Sequence, residues 1–377
     1  MSVQEILSKT SPRKLLALDG GGIRGIITIE VLAKIESLLQ EKLGADDKFL
    51  LADYFDYIAG TSTGAIIASC LSWGMRVSEV REFYINQGEN MFDSASLLKQ
   101  FQYKFEDKNL AKELREKFQE KDGSVATLGS SLLKTLLLMV MRNATTDSPW
   151  PISNNPYARY NDPSRPDCNL QLPLWQLIRA STAAPTYFPP EVIEVEKGEP
   201  FVFVDGGITS FNNPAFQLFL MATTKPYKLN WPVGEDKMLL VSVGTGMTPS
   251  ANKNLKPGEM NLLYNAGAIP SALMFAAQNQ QDMLCRIFGK CLEGDIIDQE
   301  VGNMIDINAP GGEKLFTYMR YNADLSHEGL SALGLTQINP ADVQKMDAVD
   351  KIEELQAVGK AIADQKVKKE HFVNFLG

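Results

Sequence analysis

Short apolar runs that end at glycines alternate along the chain with longer segments of helical spacing. The run KLLALD, residues 14–19, is followed by a segment with apolar residues three or four positions apart from Ile26 to Leu39. The run YFDYIAG, residues 54–60, is followed in the same way by TGAIIASCLSWG, residues 63–74. Each pair predicts a strand, a tight turn and a helix.

Three further apolar runs have the composition of buried strands, and they are TLLLMVM (135–141), FVFVD (201–205) and MLLVSVG (238–244). Runs that are apolar throughout suit strands covered by helices on both faces, as in parallel sheets. We therefore predict an α/β fold, a three-layer sandwich with a mainly parallel central sheet flanked by helices.

Two segments depart from this alternation. Residues 143–173 are rich in Asn, Pro, Asp and Ser, which favours a long irregular connection or a lid. From Pro340 onwards the chain is charged and has amphipathic helical spacing. The predicted organisation is an N-terminal extension (1–13), a main domain (14–335) and a helical C-terminal tail (336–377) packed on the core.

Charge and composition limit the partners. The net charge of −9 and the pI near 5.0 argue against a nucleic-acid polymer as ligand. The N-terminus lacks the apolar core of a secretory signal, and LLLMVM is far shorter than the roughly 20 residues that span a bilayer. The cysteines form no C-x-x-C pair, and with two distant histidines they make no zinc pattern, so no metal site is predicted. No cofactor is expected either. We expect a cytoplasmic protein that can touch a membrane peripherally.

A glycine-rich turn, DGGGIRG, joins the first predicted strand to its helix. It matches G-x-G-x-x-G, and with Glu41 as the acidic residue it permits a dinucleotide site. More generally, backbone amides that approach a ligand closely at a helix N-terminus can hold a phosphate or the oxyanion of an acyl-transfer intermediate. The candidate oxyanion-hole residues are Gly20, Gly21, Gly22, Arg24 and Gly25.

The second turn, GTSTG, fits the G-x-S-x-G pattern between an apolar strand and a helical run. This context is typical of a nucleophile elbow, in which flanking glycines let a sharp turn expose the serine hydroxyl. Ser62 is the candidate nucleophile, and the elbow residues around it are Gly60, Thr61, Thr63 and Gly64.

The base that would activate Ser62 has two candidates. The order Ser62, Asp205, His327 suits an α/β-hydrolase triad, but His327 lies in a polar segment with no predicted place near the sheet. Asp205 ends the apolar run FVFVD and is followed by Gly206 and Gly207. As a strand of the predicted parallel sheet it ends at the same sheet edge as both turns, so we expect Asp205 to lie near Ser62 and to accept the serine proton directly.

Together these motifs resemble the patatin-like phospholipase family: DGGGIRG as the oxyanion loop, GTSTG as the nucleophile elbow and DGG as the base motif. STAAPTYFPP (181–190), NNPA (212–215) and LLVSVGTG (239–246) extend the resemblance, which covers a core from residue 14 to 246. It implies a patatin-like fold, a Ser62–Asp205 dyad without histidine or metal, and an oxyanion hole in the glycine loop.

The resemblance predicts a lipid acyl hydrolase that cleaves fatty acyl esters of phospholipids or related glycerolipids, in membranes or micelles, through a covalent acyl-enzyme. One alternative is the same hydrolase held inactive until a nucleotide second messenger binds, with a sensor in residues 143–173 or in the C-terminal third. Others are an esterase with the Ser62–Asp205–His327 triad and a non-enzymatic dinucleotide binder. Oligomeric state and headgroup preference are not predicted.

Overall fold

The computed structural model describes residues 2–10, 12–92, 108–185, 187–196, 198–247, 262–309 and 311–376. In these ranges nine strands form one sheet: β1 (Arg13–Leu18), β2 (Tyr57–Thr61), β3 (Leu136–Asn143), β4 (Ser148–Ser153), β5 (Glu191–Glu196), β6 (Glu199–Asp205), β7 (Met238–Val243), β8 (Gly289–Glu293) and β9 (Phe316–Tyr321). The helices are α1 (Val3–Ser8), α2 (Gly25–Leu43), α3 (Leu51–Tyr54), α4 (Thr63–Ser72), α5 (Val77–Phe92), α6 (Lys108–Lys117), α7 (Leu174–Ser181), α8 (Ala215–Thr223), α9 (Leu262–Phe288), α10 (His327–Ala332), α11 (Pro340–Val343) and α12 (Ile352–Lys366).

The centre of the sheet is parallel. β1 pairs with β2 on one side and with β7 on the other, while β9 and β8 continue the parallel order beyond β7. Leu18 is level with both Gly60 and Val243, so β1, β2 and β7 end at one edge of the sheet, here called the catalytic edge. The prediction of a mainly parallel central sheet flanked by helices is confirmed.

β6 does not run in the predicted direction, since it is antiparallel to β3. β2 pairs with β3 over residues 136–140, β4 pairs with β3 over 138–143, and β6 pairs with it over 141–143. A strand has two hydrogen-bonding edges, so β6 must lie on the edge that β2 has just left. β6 and β2 therefore meet end to end, which brings Asp205 to the end of β2. The predicted position of Asp205 near Ser62 is reached, but the parallel strand from which it was predicted was wrong.

Alternate residues of the central strands enter two separate cores. Leu16 and Leu18 pack with α2, α4 and α12 on one face, whereas Leu15 and Ala17 pack with α1, α8 and α9 on the other. Strands covered on both faces in this way explain why their sequences are apolar without alternation.

The outer parts of the chain correct the sequence-based picture. The segment 143–173 is not wholly irregular, because β4 lies in it and forms a hairpin with β3. β5, β8 and β9 were not predicted. Ile6 of α1 is buried in the core, and α12 packs so closely on α2 that a Cβ at Gly359 would lie 2.7 Å from the Glu30 Cβ.

Candidate active site

Ser62 lies on a sharp turn between β2 and α4. Its φ of 55° and ψ of −124° fall in a region that residues with a side chain rarely adopt. The flanking glycines make the turn possible: a Cβ at Gly60 would lie 2.0 Å from the Gly64 carbonyl oxygen, and one at Gly64 would lie 2.3 Å from that of Leu18. The local geometry is that of a nucleophile elbow.

Hydrogen bonds from neighbouring elements hold this turn. The Ser62 backbone N–H donates to Ser181 Oγ at 3.0 Å, and the Ser181 hydroxyl in turn donates to the Val140 carbonyl at 2.5 Å. Thr61 Oγ1 donates to the Phe211 carbonyl at 2.6 Å. The strained conformation of Ser62 is thus supported from β3 and α7 as well as from its own strand.

Asp205 faces the Ser62 hydroxyl across the gap between β6 and β2. Ser62 Oγ donates to Asp205 Oδ2 at 2.5 Å, and the Gly207 N–H donates to Oδ1 at 2.6 Å. Gly206 leaves room for the turn, since a Cβ there would lie 2.3 Å from the Val140 carbonyl oxygen. Both carboxylate oxygens are therefore held, and one of them points at the serine.

Burial changes the acidity of Asp205, which is 4% exposed. It raises the pKa of this carboxyl from the ordinary 3.8 to about 6, while the hydrogen bonds from Ser62 and Gly207 act in the opposite direction. A carboxylate with a pKa near 6 is mostly ionised at neutral pH and is a stronger base than an exposed one.

The glycine loop packs directly against the serine. A Cβ at Gly20 would lie 3.0 Å from the Ser62 Cβ. The Gly20 N–H donates to the Asn212 carbonyl at 3.2 Å, and the Gly20 carbonyl accepts from Thr245 Oγ1 at 2.8 Å. The Gly20 N–H is therefore engaged, whereas the N–H groups of Gly21 and Gly22 have no acceptor in the described part of the chain.

The rest of the loop shapes the approach to these amides. Arg24 Nε donates to the Gly21 carbonyl at 3.4 Å, and burial lowers the pKa of Arg24 to about 10, against the opposing effect of Asp19. Gly22 has a φ of 62°, and a Cβ there would meet the Met346 carbonyl oxygen at 2.2 Å. A Cβ at Gly25 would lie 2.7 Å from Thr63 Oγ1, so the absence of a side chain at Gly25 lets the loop pack closely against the elbow.

A buried ion pair lies beneath the loop. Both nitrogens Nη1 and Nη2 of Arg320 bind the carboxylate of Asp19, at 2.8 and 2.5 Å, and Gln278 donates to the same carboxylate at 3.3 Å. This fixes the residue before Gly20 through β9 and α9, two elements of the C-terminal third.

Two sequence-based alternatives do not fit the geometry. His327 is exposed at the start of α10, where its Nδ1 lies 3.3 Å from Ser331 Oγ, and the hydrogen bonds found for Asp205 come from Ser62 and Gly207. The proposed triad is therefore not formed. Glu41 is sixteen residues along α2 from Gly25, about 24 Å at 1.5 Å per residue, too far to share a dinucleotide with the loop.

Some residues around the site had no predicted role, although signals for them were present. Ser181, Asn212 and Thr245 lie in segments that carried the family resemblance. Arg320 has a different signal, because it is a charged residue inside the apolar run FTYMRY.

The profile of the Patatin-like phospholipase family matches residues 16–219. The chain belongs to this family. Patatin-like protein 1 of Arabidopsis thaliana is 29% identical over 352 residues, covering 82% of this chain and 83% of that protein. Intracellular phospholipase A2 of Caenorhabditis elegans is 31% identical over 258 residues, 64% of this chain and 20% of that protein.

A cGAMP-activated phospholipase of Escherichia coli is also similar, with 29% identity over 248 residues that cover 64% of this chain and 65% of that protein. Membership of the family makes this chain a lipid acyl hydrolase, a carboxylic ester hydrolase whose substrate is a lipid. None of the helices described here has the length and apolar character needed to cross a membrane.

Proposed function

We propose that the protein hydrolyses fatty acyl esters of phospholipids or related glycerolipids by covalent catalysis, with Ser62 as nucleophile and Asp205 as base. The observation that carries this proposal is the 2.5 Å hydrogen bond from Ser62 Oγ to Asp205 Oδ2 at the strained elbow. A serine hydroxyl becomes a useful nucleophile only when a neighbouring base takes its proton.

In the first half of the reaction, Ser62 Oγ attacks the ester carbonyl carbon while Asp205 Oδ2 accepts the hydroxyl proton. The negative charge on the former carbonyl oxygen is met by the N–H groups of Gly21 and Gly22, at the N-terminal end of α2. The protonated Asp205 then gives its proton to the departing alcohol, the lysolipid, and the acyl group stays on Ser62.

In the second half, water replaces the alcohol. Asp205 takes a proton from this water, the resulting hydroxide attacks the acyl-enzyme, and the same amides stabilise the second oxyanion. Asp205 then returns the proton to Ser62 Oγ, and the fatty acid leaves. No group other than Asp205 is required to carry protons, which fits the exposed position of His327 on α10.

We further propose a cytoplasmic location with transient contact at a lipid surface. Ile208 follows the base motif directly and is 44% exposed, so an apolar side chain lies at the rim of the site. Transfer of this one apolar side chain from water into the acyl region of a membrane or micelle is favourable.

The test compares Ser62→Ala and Asp205→Asn with the control His327→Ala in fatty acid release from phosphatidylcholine vesicles. We expect both dyad variants to lose at least about 1,000-fold in turnover, because residues that act as one catalytic unit fail together. His327→Ala should keep wild-type turnover. Loss in His327→Ala with normal turnover in Asp205→Asn would refute the dyad.

A second candidate function is the same hydrolysis under control of a nucleotide second messenger. The observation that favours it is the similarity to a cGAMP-activated phospholipase. Fatty acid release is measured with and without a panel of cyclic dinucleotides that includes cGAMP. A dependence on one of them supports gating, whereas equal rates throughout count against gating by these ligands.

A further inference from the structure

We propose that Thr245 is a positioning residue of the oxyanion hole, whose hydroxyl sets the direction of the Gly21 N–H. The proposal rests on the hydrolase function proposed above, because it assigns a task to a side chain that does not itself touch the reacting atoms. Thr245 follows β7 at the catalytic edge and is 1% exposed.

The peptide bond between Gly20 and Gly21 is held by a side chain from another element. Thr245 Oγ1 donates to the Gly20 carbonyl at 2.8 Å. In a trans peptide the carbonyl and the following N–H point in opposite directions across a rigid plane. Holding the Gly20 carbonyl towards Thr245 therefore turns the Gly21 N–H away from Thr245.

Glycine residues on their own do not keep such a direction, because without a Cβ the backbone can rotate freely. The Gly20 N–H is held by the Asn212 carbonyl at 3.2 Å, which restrains the peptide before Gly20. The peptide after it is restrained through the Gly20 carbonyl, by Thr245. An N–H that is already directed at the oxyanion costs no reorganisation during the reaction.

Close packing strengthens this restraint. A Cβ at Gly21 would lie 2.1 Å from Thr245 Oγ1 and 2.6 Å from the Thr245 Cβ. The threonine side chain thus fills the space in which the loop would otherwise move. A side chain at position 21 and a side chain at position 245 exclude each other, which pairs the central glycine of the loop with this threonine.

The turn that carries Thr245 is itself held at both neighbours. The Gly244 N–H donates to the Tyr321 carbonyl at 2.9 Å, and the Gly246 N–H donates to Asn322 Oδ1 at 2.9 Å. Thr28 Oγ1 of α2 donates to the Gly244 carbonyl at 2.9 Å. The hydroxyl of Thr245 is therefore presented from a rigid base built by β9 and α2.

Thr245 lies beyond the matched residues 16–219. Its role means that part of the oxyanion hole is supported from a segment outside the residues that the family profile matches.

The test compares Thr245→Val, which keeps the shape but removes the hydroxyl, with Thr245→Ser, which keeps the hydroxyl. The matched control is Thr135→Val, since Thr135 is also fully buried and donates to Ser72 Oγ at 2.8 Å. Thr135 directly precedes β3 and so lies at the end of the strands away from the catalytic edge. kcat and KM are measured on a soluble short-chain ester, together with the melting temperature.

We expect Thr245→Val to lower kcat about 10- to 100-fold with KM within about twofold. The reason is that misdirecting an oxyanion donor should cost part of the kcat that is lost when the donor is deleted. Thr245→Ser should restore most of kcat. Thr135→Val should lower the melting temperature by about as much as Thr245→Val does, without changing kcat. If Thr245→Val does not fold, Thr245→Ala replaces it and should show the same loss of kcat.

Wild-type kcat in Thr245→Val, or equal losses in Thr245→Val and Thr245→Ser, would overturn the proposal. A loss of kcat in Thr135→Val as large as that in Thr245→Val would overturn it too, since stability alone would then explain both. Ser62→Ala in the same assay separates the failure of the Thr245 proposal from the failure of the proposed function. If Ser62→Ala stays active, the proposed function itself fails.

Discussion

A single buried carboxylate sets the pH range in which this enzyme is expected to work. In the proposed mechanism Asp205 must be ionised to accept the proton of Ser62, and burial raises its pKa to about 6. As the pH falls through 6, the protonated form predominates and its ability to act as a base is lost. The proposed mechanism therefore predicts activity on the alkaline side of this pKa.

We predict that kcat/KM is half-maximal near pH 6 and falls about tenfold per pH unit below it, because it follows the ionised fraction of one group in the free enzyme. The measurement is a pH profile on a neutral soluble ester, so that the charge of a lipid headgroup does not change with pH. An acid limb centred near pH 4, the range of an exposed carboxyl, would contradict the effect of burial.

At this scale, the sequence is sufficient for residues whose motif is local. Ser62 lies in a pattern of strand, turn and helix that predicts an exposed hydroxyl, and Asp205 ends an apolar run that is followed by two glycines. The supporting roles of Ser181 and Thr245 depend on hydrogen bonds to residues 119 and 225 positions away. Such pairs become visible only when the fold brings the segments together.

The strands show a similar division between what composition predicts and what it does not. Apolar composition placed β1, β2, β3, β6 and β7 correctly, but it carries no information on direction. The link between β5, which ends at Glu196, and β6, which begins at Glu199, sets the direction of β6 relative to β5 but not relative to β3. So short a link permits only an antiparallel hairpin.

β5 itself was missed because its sequence, EVIEVE, places glutamates between its apolar residues, as suits an edge strand. β8, with the sequence GKCLE, is a short strand at the opposite edge of the sheet. Edge strands lack the continuous apolar pattern from which central strands are predicted.

The contact between the elbow and β1 supports a prediction about Gly64. A Cβ at Gly64 would lie 2.3 Å from the Leu18 carbonyl oxygen, in a backbone paired on both sides. We predict that Gly64→Ala destabilises the protein by about 3 kcal/mol, since overpacking a core commonly costs up to this amount. Labelling of Ser62 in this variant by a fluorophosphonate, a probe that reacts with activated serines, should also be slower.

The control is Gly88→Ala in the middle of α5, where the nearest atom to the new methyl group is the end of the Ile23 side chain at 3.1 Å. This change should be neutral or stabilising by up to about 1 kcal/mol, because alanine favours a helix more than glycine does. Thermal unfolding measures both variants. An unchanged melting temperature in Gly64→Ala would show that the strand backbone can yield.

Across the whole molecule, the sequence motifs that predict a catalytic role lie in the N-terminal two thirds, and the C-terminal third carries none of them. The first part carries the three motifs, whereas the elements after residue 246 support them through single contacts, such as that of Arg320 with Asp19. Contacts of this kind are made by one side chain or one carbonyl and leave no repeating pattern in the sequence.

The contact between the glycine loop and residue 346 has a consequence for the timing of activity during synthesis. The Met346 carbonyl accepts the Ile23 N–H at 2.9 Å, and the Gln344 carbonyl accepts from Arg24 at 3.4 Å. Ser62 and Asp205 leave the ribosome long before these groups exist. A growing chain should therefore not hydrolyse the lipids around it until residues 344–346 have folded onto the glycine loop.

This predicts that chains arrested on the ribosome before residue 346 has emerged react at least about tenfold more slowly with a fluorophosphonate than chains arrested after it, because an unsupported oxyanion donor loses its effect. Labelling of the nascent chains in both states measures the difference. Equal labelling would show that the loop keeps its shape without residues 344–346. Slower labelling of the shorter chains would mean that the order of synthesis keeps lipid hydrolysis from starting before these residues have folded onto the loop.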